Sequence, residues 1–594
     1  MTQKVLAGRA DDPDLKDRLV QVKVDQIVLA REPNRVLAEA LEQGLKKCTV
    51  ETAVAYDTRC VTTDGAEPDL SAPERVSRAV LQNNILIARP GIGFPPAVHL
   101  ERFASPARLA VTDEPRMASV GGVGMLTLVV SPSQLAEALT HGTVWVRPPV
   151  SVQVLLSGRI RPFVCVRDVA LELLRRGLGD VIKRVDQQGH VPVVVEFAGP
   201  SARLLSVPDR AVLCALAPLL GASAAVFVSD EKTEVYLRDQ RRSKAHRGLL
   251  PDPGAPCEDV ISVDLSAVDP LVMDEAGEVR QVRELAGKPV YQVVLGGDSG
   301  ASLRDLLAAA ALLKSKRVPP RLDFLLAPPS RQALEVLAAS GALVDLIATG
   351  ARLVEPDHRL LTGELYPPTA GGLSLRTFEP EPGAAKDRRF VVASAETIAF
   401  AVATGQLGDP RSFKRPVRVT VPRTLPTDDV LTLRKGKGKA KEGLEGTKLP
   451  PARASARLGW AGKATLDIVD HEARPSAPSL MVLRSLGEVR WAARHAADLG
   501  APLRAVVAEH IPAGLVPQFA GLGILALTAP SSTLEALSGH RTVELPGVEE
   551  IPTASGFVAL AGGAKIELFC EAILAEREWT TAGSARSAPP AKSK

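Results

Sequence analysis

The sequence predicts an α/β protein of several domains, with parallel sheets covered by helices. Three observations carry this expectation. Strand-like and helix-like segments alternate along most of the chain, the pattern that parallel sheets with crossover helices produce. Short runs rich in β-branched residues end in glycine turns that lead straight into helix caps. The 594 residues also exceed what one hydrophobic core organises, so the chain should divide into about three to five domains.

The elements follow in order. Val290–Leu295 reads as a buried strand ending at Gly296-Gly297. Ser302 is placed to cap a helix over Leu303–Lys314, with Asp305 in its first turn. Arg321–Leu326 reads as the next strand and Arg331–Ala339 as the next helix. The same order returns near the C-terminus, where a helix over Val489–Leu499 leads into the strand Leu503–Ala508. Between these regions, Arg434–Pro451 is charged, glycine-rich and without apolar periodicity, the composition of a flexible connector. Thr581–Lys594 is rich in Ala, Ser, Pro and Lys and is expected to be disordered.

Composition excludes several classes. Apolar residues at 45% and charged residues at 24% are ordinary for a globular chain. A net charge of +4 gives little electrostatic reason to expect nucleic acid. The lysines of the connector have no aromatic residues among them, so a solvated linker is the reading they support. The longest apolar runs, Leu306–Leu313 and Leu522–Leu527, are too short to span a membrane. The first residues carry charge where a leader would be apolar, so a cytoplasmic location is expected. The six cysteines (Cys48, Cys60, Cys165, Cys214, Cys257 and Cys570) include no close pair of the kind that offers two thiolates to one metal. Several lie among apolar neighbours and read as buried thiols. Gly297–Gly300 spells the GDSG string of serine proteases. It sits between a strand and a helix, with no histidine and aspartate evidently arranged around the serine.

A series of segments stands out along the chain: Arg89–Gly93 (RPGIG), Val98–Phe103 (VHLERF), Gly121–Leu126 (GGVGML) and Val166–Val169 (VRDV) running into Leu171–Arg176. Further along come Asp209–Ala211, Gly221–Ser223, Val228–Glu231, Ala348–Leu353 (ATGARL), Ser374–Phe378 (SLRTF) and Gly523–Leu527 (GILAL). Taken in this order, they resemble the bacterial aconitase family. The matches run from about residue 15 to about residue 530. The resemblance implies three α/β domains around a cleft, a linker and a C-terminal swivel domain. The expected divisions are 1–200, 201–283 and 284–415 for the three domains, 416–452 for the linker, 453–580 for the swivel domain and 581–594 for the tail.

The same comparison implies that the family's chemistry is missing. Aconitases dehydrate and rehydrate substrate on a four-iron cluster held by three cysteines. Asp298 stands where the first cysteine of the family would be, and His358 and Leu361 stand at the other two positions. A leucine cannot ligate iron, so no 4Fe-4S cluster and no other cofactor is expected. The family's Asp–His pair falls at Thr58-Arg59, its Ser-Asp-Ser-His turn at Asp113–Arg116, and a further histidine at Pro96. The loop that supplies the family's serine base and substrate arginine corresponds to Leu486–Trp491, and Glu379–Pro382 replaces an arginine-rich stretch. No catalytic residue is assigned.

The expected function is therefore a non-catalytic family member acting in metabolite binding, regulation or scaffolding. Its ligand would be a small carboxylic acid, and its protein partner is unknown. Arg59, Arg116 and Arg376 are the candidates for carboxylate recognition, because a guanidinium pairs bidentately with a carboxylate. Two alternatives stay open. A cluster-free or mononuclear-metal hydro-lyase would use Asp298 and His358, with Asp357 as a third ligand. An RNA-binding regulator is the other, by analogy with aconitases that bind RNA once their cluster is lost.

Overall fold

The computed structural model describes residues 1–57, 76, 78–382, 389–427, 430–434, 460, 462–500 and 502–576. Arg59, the connector 435–451 and the tail 581–594 lie outside the described residues.

The described residues form three large open sheets in succession, a two-stranded antiparallel ribbon of Val20–Lys23 with Thr143–Val146, and a closed barrel. The first sheet is centred on Gln26–Leu29, flanked in parallel by Thr52–Tyr56 and Leu109–Thr112. Leu86–Ala88 and Leu126–Val129 extend it, also in parallel. The second sheet places Val150–Ser157 between Val193–Ala198 and Asp259–Asp264, with Ala224–Phe227 at one edge, all parallel. The third has Val290–Gly296 parallel to both Asp323–Ala327 and Leu373–Arg376, and an antiparallel ribbon of Leu271–Met273 and Val279–Gln281 at one side. These strands are near-continuous apolar runs because helices cover both faces of a parallel sheet. Thr52–Tyr56 and Asp323–Ala327, for instance, are buried at every residue but the first.

Residues 1–200 thus supply strands to both of the first two large sheets, with Val193–Ala198 pairing into the second rather than closing the first. Within 416–452, Thr432–Leu433 pairs antiparallel with Leu86–Ala88 and becomes an edge strand of the first sheet. The C-terminal barrel closes Ala464–Val469, Ser479–Leu483, Leu503–Ala508 and Leu525–Thr528 with three antiparallel strands, Thr542–Leu545, Ser555–Ala561 and Ala564–Cys570. Among the described residues, no single helix is long and apolar enough to cross a membrane.

The sequence pattern GGVG has a packing role. A side chain at Gly121 would bring its Cβ to 1.9 Å from the Ala225 carbonyl, and one at Gly122 to 2.5 Å from the Ala211 nitrogen. Only glycine lets the 3-10 segment Pro115–Val123 lie this close to the second sheet, and that segment carries Arg116 toward the cleft.

The barrel meets the second domain through buried polar groups. Arg147 pairs with Glu576, its Nη2 donates to the Glu571 carbonyl at 2.9 Å, and Asp186 accepts the Ala513 N–H at 2.9 Å. Burial pushes the Asp186 carboxyl up to about 7, with Glu571 adding to the rise and Ala513 and Arg147 opposing it. Because folding raises this pKa, the folded chain keeps a proton that the unfolded chain loses near pH 4. The stabilisation is complete below that pH and is lost as pH rises toward 7. Asp186→Asn removes this titration. Between pH 4 and pH 8 the wild type should lose up to roughly 4 kcal/mol relative to the variant, as measured by urea unfolding. A difference that does not change with pH would contradict the assignment.

Candidate functional site

The three positions Asp298, His358 and Leu361 converge on one small cavity, together with Pro96, Glu114 and Arg116. Asp298 follows the strand Val290–Gly296 through a tight glycine turn. Gly296 has φ +121°, and a Cβ there would meet the Ala327 carbonyl at 1.9 Å. Asp298 is 2% exposed, and the chain continues through the Ser302 cap into Leu303–Leu313. His358 precedes the short helix Arg359–Thr362, whose Leu361 is buried in the wall.

The cavity is filled by protein charge. Arg116 Nη1 donates to both oxygens of Asp298 at 3.3 and 3.1 Å, its Nε donates to Glu381 at 3.0 Å, and Nη2 donates to the Glu379 carbonyl at 2.7 Å. Burial works against the Arg116 charge, but Asp298, Glu379 and Glu114 outweigh it and hold the guanidinium protonated. Arg167, fully buried, pairs with the Glu379 carboxylate. His358 Nε2 lies 3.4 Å from Glu381, and Arg494 contacts both His358 and Glu381. Arg494 belongs to the barrel helix Leu486–Leu499, so this network joins the barrel to the third domain.

A four-iron cluster requires three thiolates, and no described cysteine lines this cavity. The donors present are a carboxylate, an imidazole and an aliphatic side chain, so they do not fit the group. The donors named for a mononuclear metal are already paired with protein groups. The Asp298 carboxylate is taken by Arg116 and the His358 ring by Arg494 and Glu381, while Asp357 pairs with Arg359 at 3.0 Å. A cation among these residues would have to displace guanidinium groups from their partners.

Of the arginines expected to bind carboxylate, Arg116 reaches the cleft but is committed to Asp298 and Glu381. Arg376 is elsewhere, which corrects that expectation. The alternation of the strand Leu373–Arg376 turns it into the interior of the third domain, 0% exposed. There it donates to the Leu360 carbonyl at 2.6 Å and the Tyr366 carbonyl at 2.7 Å, and it lies 4.2 Å from the Phe390 ring centroid. Burial lowers its pKa to about 9. His99 of the VHLERF segment is likewise a core residue. It is held between Tyr56 at 3.1 Å and Gln26 at 2.9 Å, and burial lowers its pKa to about 3.

Beyond the small cavity opens a larger cleft, lined by all three sheet domains and the barrel. Its charged end holds Glu114, Arg116, Glu379, Glu381, Arg490 and Arg494; its far end is apolar, with Leu128, Trp145 and Leu515. Arg490 projects from the barrel helix into this cleft. Among the described residues it makes no hydrogen bond or ion pair; Glu379 and Glu114 act on it only at longer range. Burial, with the repulsion of Arg116, lowers its pKa to about 10. The sequence reading missed Arg490, Arg494, Glu379 and Glu381 as site residues. The available signal was the acidic Glu379-Pro380-Glu381-Pro382 where the family is basic, a charge reversal that needs basic partners elsewhere.

Residues 47–276 match the model of the aconitase family (aconitate hydratase). The large subunit of homoaconitase from Thermus thermophilus is 28% identical over 433 residues, covering 70% of this chain and 98% of that protein. The 3-isopropylmalate dehydratase large subunit 2 of Archaeoglobus fulgidus is 29% identical over 335 residues, 54% of this chain and 77% of that protein. The corresponding probable large subunit from Methanothermobacter thermautotrophicus is 29% identical over 316 residues, 52% of this chain and 73% of that protein.

Proposed function

The chain belongs to the aconitase superfamily and has its hydro-lyase fold, and from that premise we propose that it binds a small carboxylic acid without transforming it. The observation that carries this reading is the division of labour among the arginines. Arg116, Arg167 and Arg494 are consumed by Asp298, Glu379 and Glu381 in the space where a catalytic cluster would sit. Arg490 remains available on the cleft wall. A half-buried guanidinium in a partly apolar cleft is costly until an anion pairs with it, and a carboxylate can do so bidentately.

Catalysis would require a group that removes a proton beside the substrate carboxylate and one that activates the hydroxyl leaving group. In this cleft the acids nearest Arg490 are held in ion pairs or lie against arginines, which suits them to fix the walls rather than accept protons. The fold then serves as a ligand-responsive module, the bound acid bridging the barrel helix and the body. Signalling to a protein partner would follow from that closure.

Calorimetric titration of the full chain with citrate, isocitrate and cis-aconitate tests this. At least one should bind, and Arg490→Ala should weaken it by about 10- to 100-fold, the loss of one charge-assisted contact. Arg490→Lys should recover part of the affinity. No heat with any of the three, or an Arg490→Ala variant that binds equally well, would overturn the reading. Interconversion of citrate and isocitrate by the purified protein would overturn its non-catalytic part.

A further inference from the structure

A second group of ligating side chains lies away from the cleft, where three helix N-termini meet between the second and third domains. Cys165 caps Val166–Arg175, Asp305 is in the first turn of Leu303–Leu313, and Glu396 is in the first turn of Ala395–Thr404. One ligand atom from each of the three, a sulfur and two carboxylate oxygens, lies within 4.8 Å of the others. We propose that Cys165, Asp305 and Glu396 form a binding site for a thiophilic divalent cation of the zinc class.

Helix capping explains part of this cluster but not all of it. Asp168 spends both oxygens on backbone, accepting the N–H groups of Cys165 and Leu271 at 2.9 Å each, and is a structural cap. Asp305 accepts the Ser302 N–H with Oδ2 at 2.9 Å, and no backbone donor occupies Oδ1. Glu396 is not the cap of its helix, because Ser394 serves it by accepting the Thr397 N–H; the Glu396 carboxyl instead accepts from its own backbone N–H and from the Cys165 thiol. Glu396 as a residue is half-buried, yet its carboxyl is enclosed by protein. Its Oε2 is sealed from solvent without a hydrogen-bond partner among the described residues. A cation would satisfy Oε2 and take the place of the thiol proton that now bridges Cys165 and Glu396.

Burial raises the carboxyls of Asp305 and Glu396 and the thiol of Cys165, with Glu396 adding to the rise at Asp305 and Asp168 to the rise at Glu396. A divalent cation would release the protons of the thiol and of any protonated carboxyl to solvent. The three ligand charges and the cation then sum to one negative charge, which the positive ends of three helices offset. One thiolate with two carboxylates suits zinc better than calcium or magnesium, and three protein ligands leave a fourth position for water. The ligands come from the second and third domains, so the ion would tie these domains together. This proposal does not depend on the carboxylate reading of the cleft.

The test is cobalt titration of the full-length, chelator-treated protein, read by absorption spectroscopy. A thiolate-to-cobalt charge-transfer band saturating at one equivalent, released by zinc, is expected. Cys165→Ser should abolish the band, and Cys257→Ser should leave it intact. Glu396→Gln, the nearly isosteric change, should weaken cobalt binding by at least about tenfold and keeps the test open if Cys165→Ser fails to fold. Absence of the band in the wild type, its persistence in Cys165→Ser, or unchanged affinity in Glu396→Gln would overturn the proposal.

Discussion

Replacing Glu381 by alanine is expected to destabilise the protein by about 3–5 kcal/mol, the cost of removing one partner from a buried ion pair. Glu381 is 7% exposed and faces three basic groups: Arg116 at 3.0 Å, His358 at 3.4 Å and Arg494 in direct contact. Arg116 would keep Asp298, but Arg494 would lose its carboxylate on the third domain. The barrel helix would then carry Arg490 and Arg494 into the same cleft with one fewer acid to face them. Glu381→Gln keeps an acceptor while removing the charge, and should cost about half as much. Urea unfolding followed by tryptophan fluorescence reads both variants, since Trp491 lies on the same helix as Arg494. Alanine and glutamine variants as stable as the wild type would show that the network does not hold the barrel.

Arg376→Ala should cost a similar amount, about 3–5 kcal/mol, by a different route. Its guanidinium satisfies the carbonyls of Leu360 and Tyr366 and lies over Phe390. Truncation leaves two buried acceptors unpaired and a cavity beside the ring. The loop it braces carries Leu361, one wall of the small cavity. Because Arg376 does not line the cleft, carboxylate affinity of the folded variant should match the wild type. A variant of normal stability that had lost ligand binding would return Arg376 to the role that the sequence first suggested for it.

The local elements were legible because their signals are local. Arg331–Ala339 forms the helix its periodicity predicts, and Val290–Gly296 exceeds the expected strand by one residue. The barrel helix begins at Leu486, three residues before the predicted Val489, because Ser485 accepts the Glu488 N–H and Glu488 reaches back to the Arg484 N–H. That Ser-x-x-Glu signature was present in the sequence. The break between the first two sheets was harder to see. Consecutive parallel strands look alike, and only their pairing shows that Val150–Ser157 and Val193–Ala198 leave the first sheet. Thr432–Leu433 is too short to announce itself as a strand.

The site was half legible for a related reason. A residue's chemistry can be read in one place, so the absence of cysteine at Asp298, His358 and Leu361, the positions that the resemblance assigns to cluster ligands, is visible in the chain alone. Their convergence on one cavity follows from the fold. The charges around these positions pair far apart in sequence: Arg116 with Glu381 across 265 positions, Arg167 with Glu379 across 212. Charge complementarity at such separation leaves no periodic or spaced pattern. Arg490 was visible only as a departure from the family loop, and its lack of a partner is a property of the folded cleft.

The measurement that bears most directly on this account is iron and acid-labile sulfide analysis of the protein purified without oxygen, with its visible spectrum. An ion-paired cavity in place of the cluster predicts no sulfide and no broad visible absorption, whatever divalent cation occupies the Cys165 site. Stoichiometric iron with sulfide would contradict it, and would mean that cysteines away from the family positions hold a cluster.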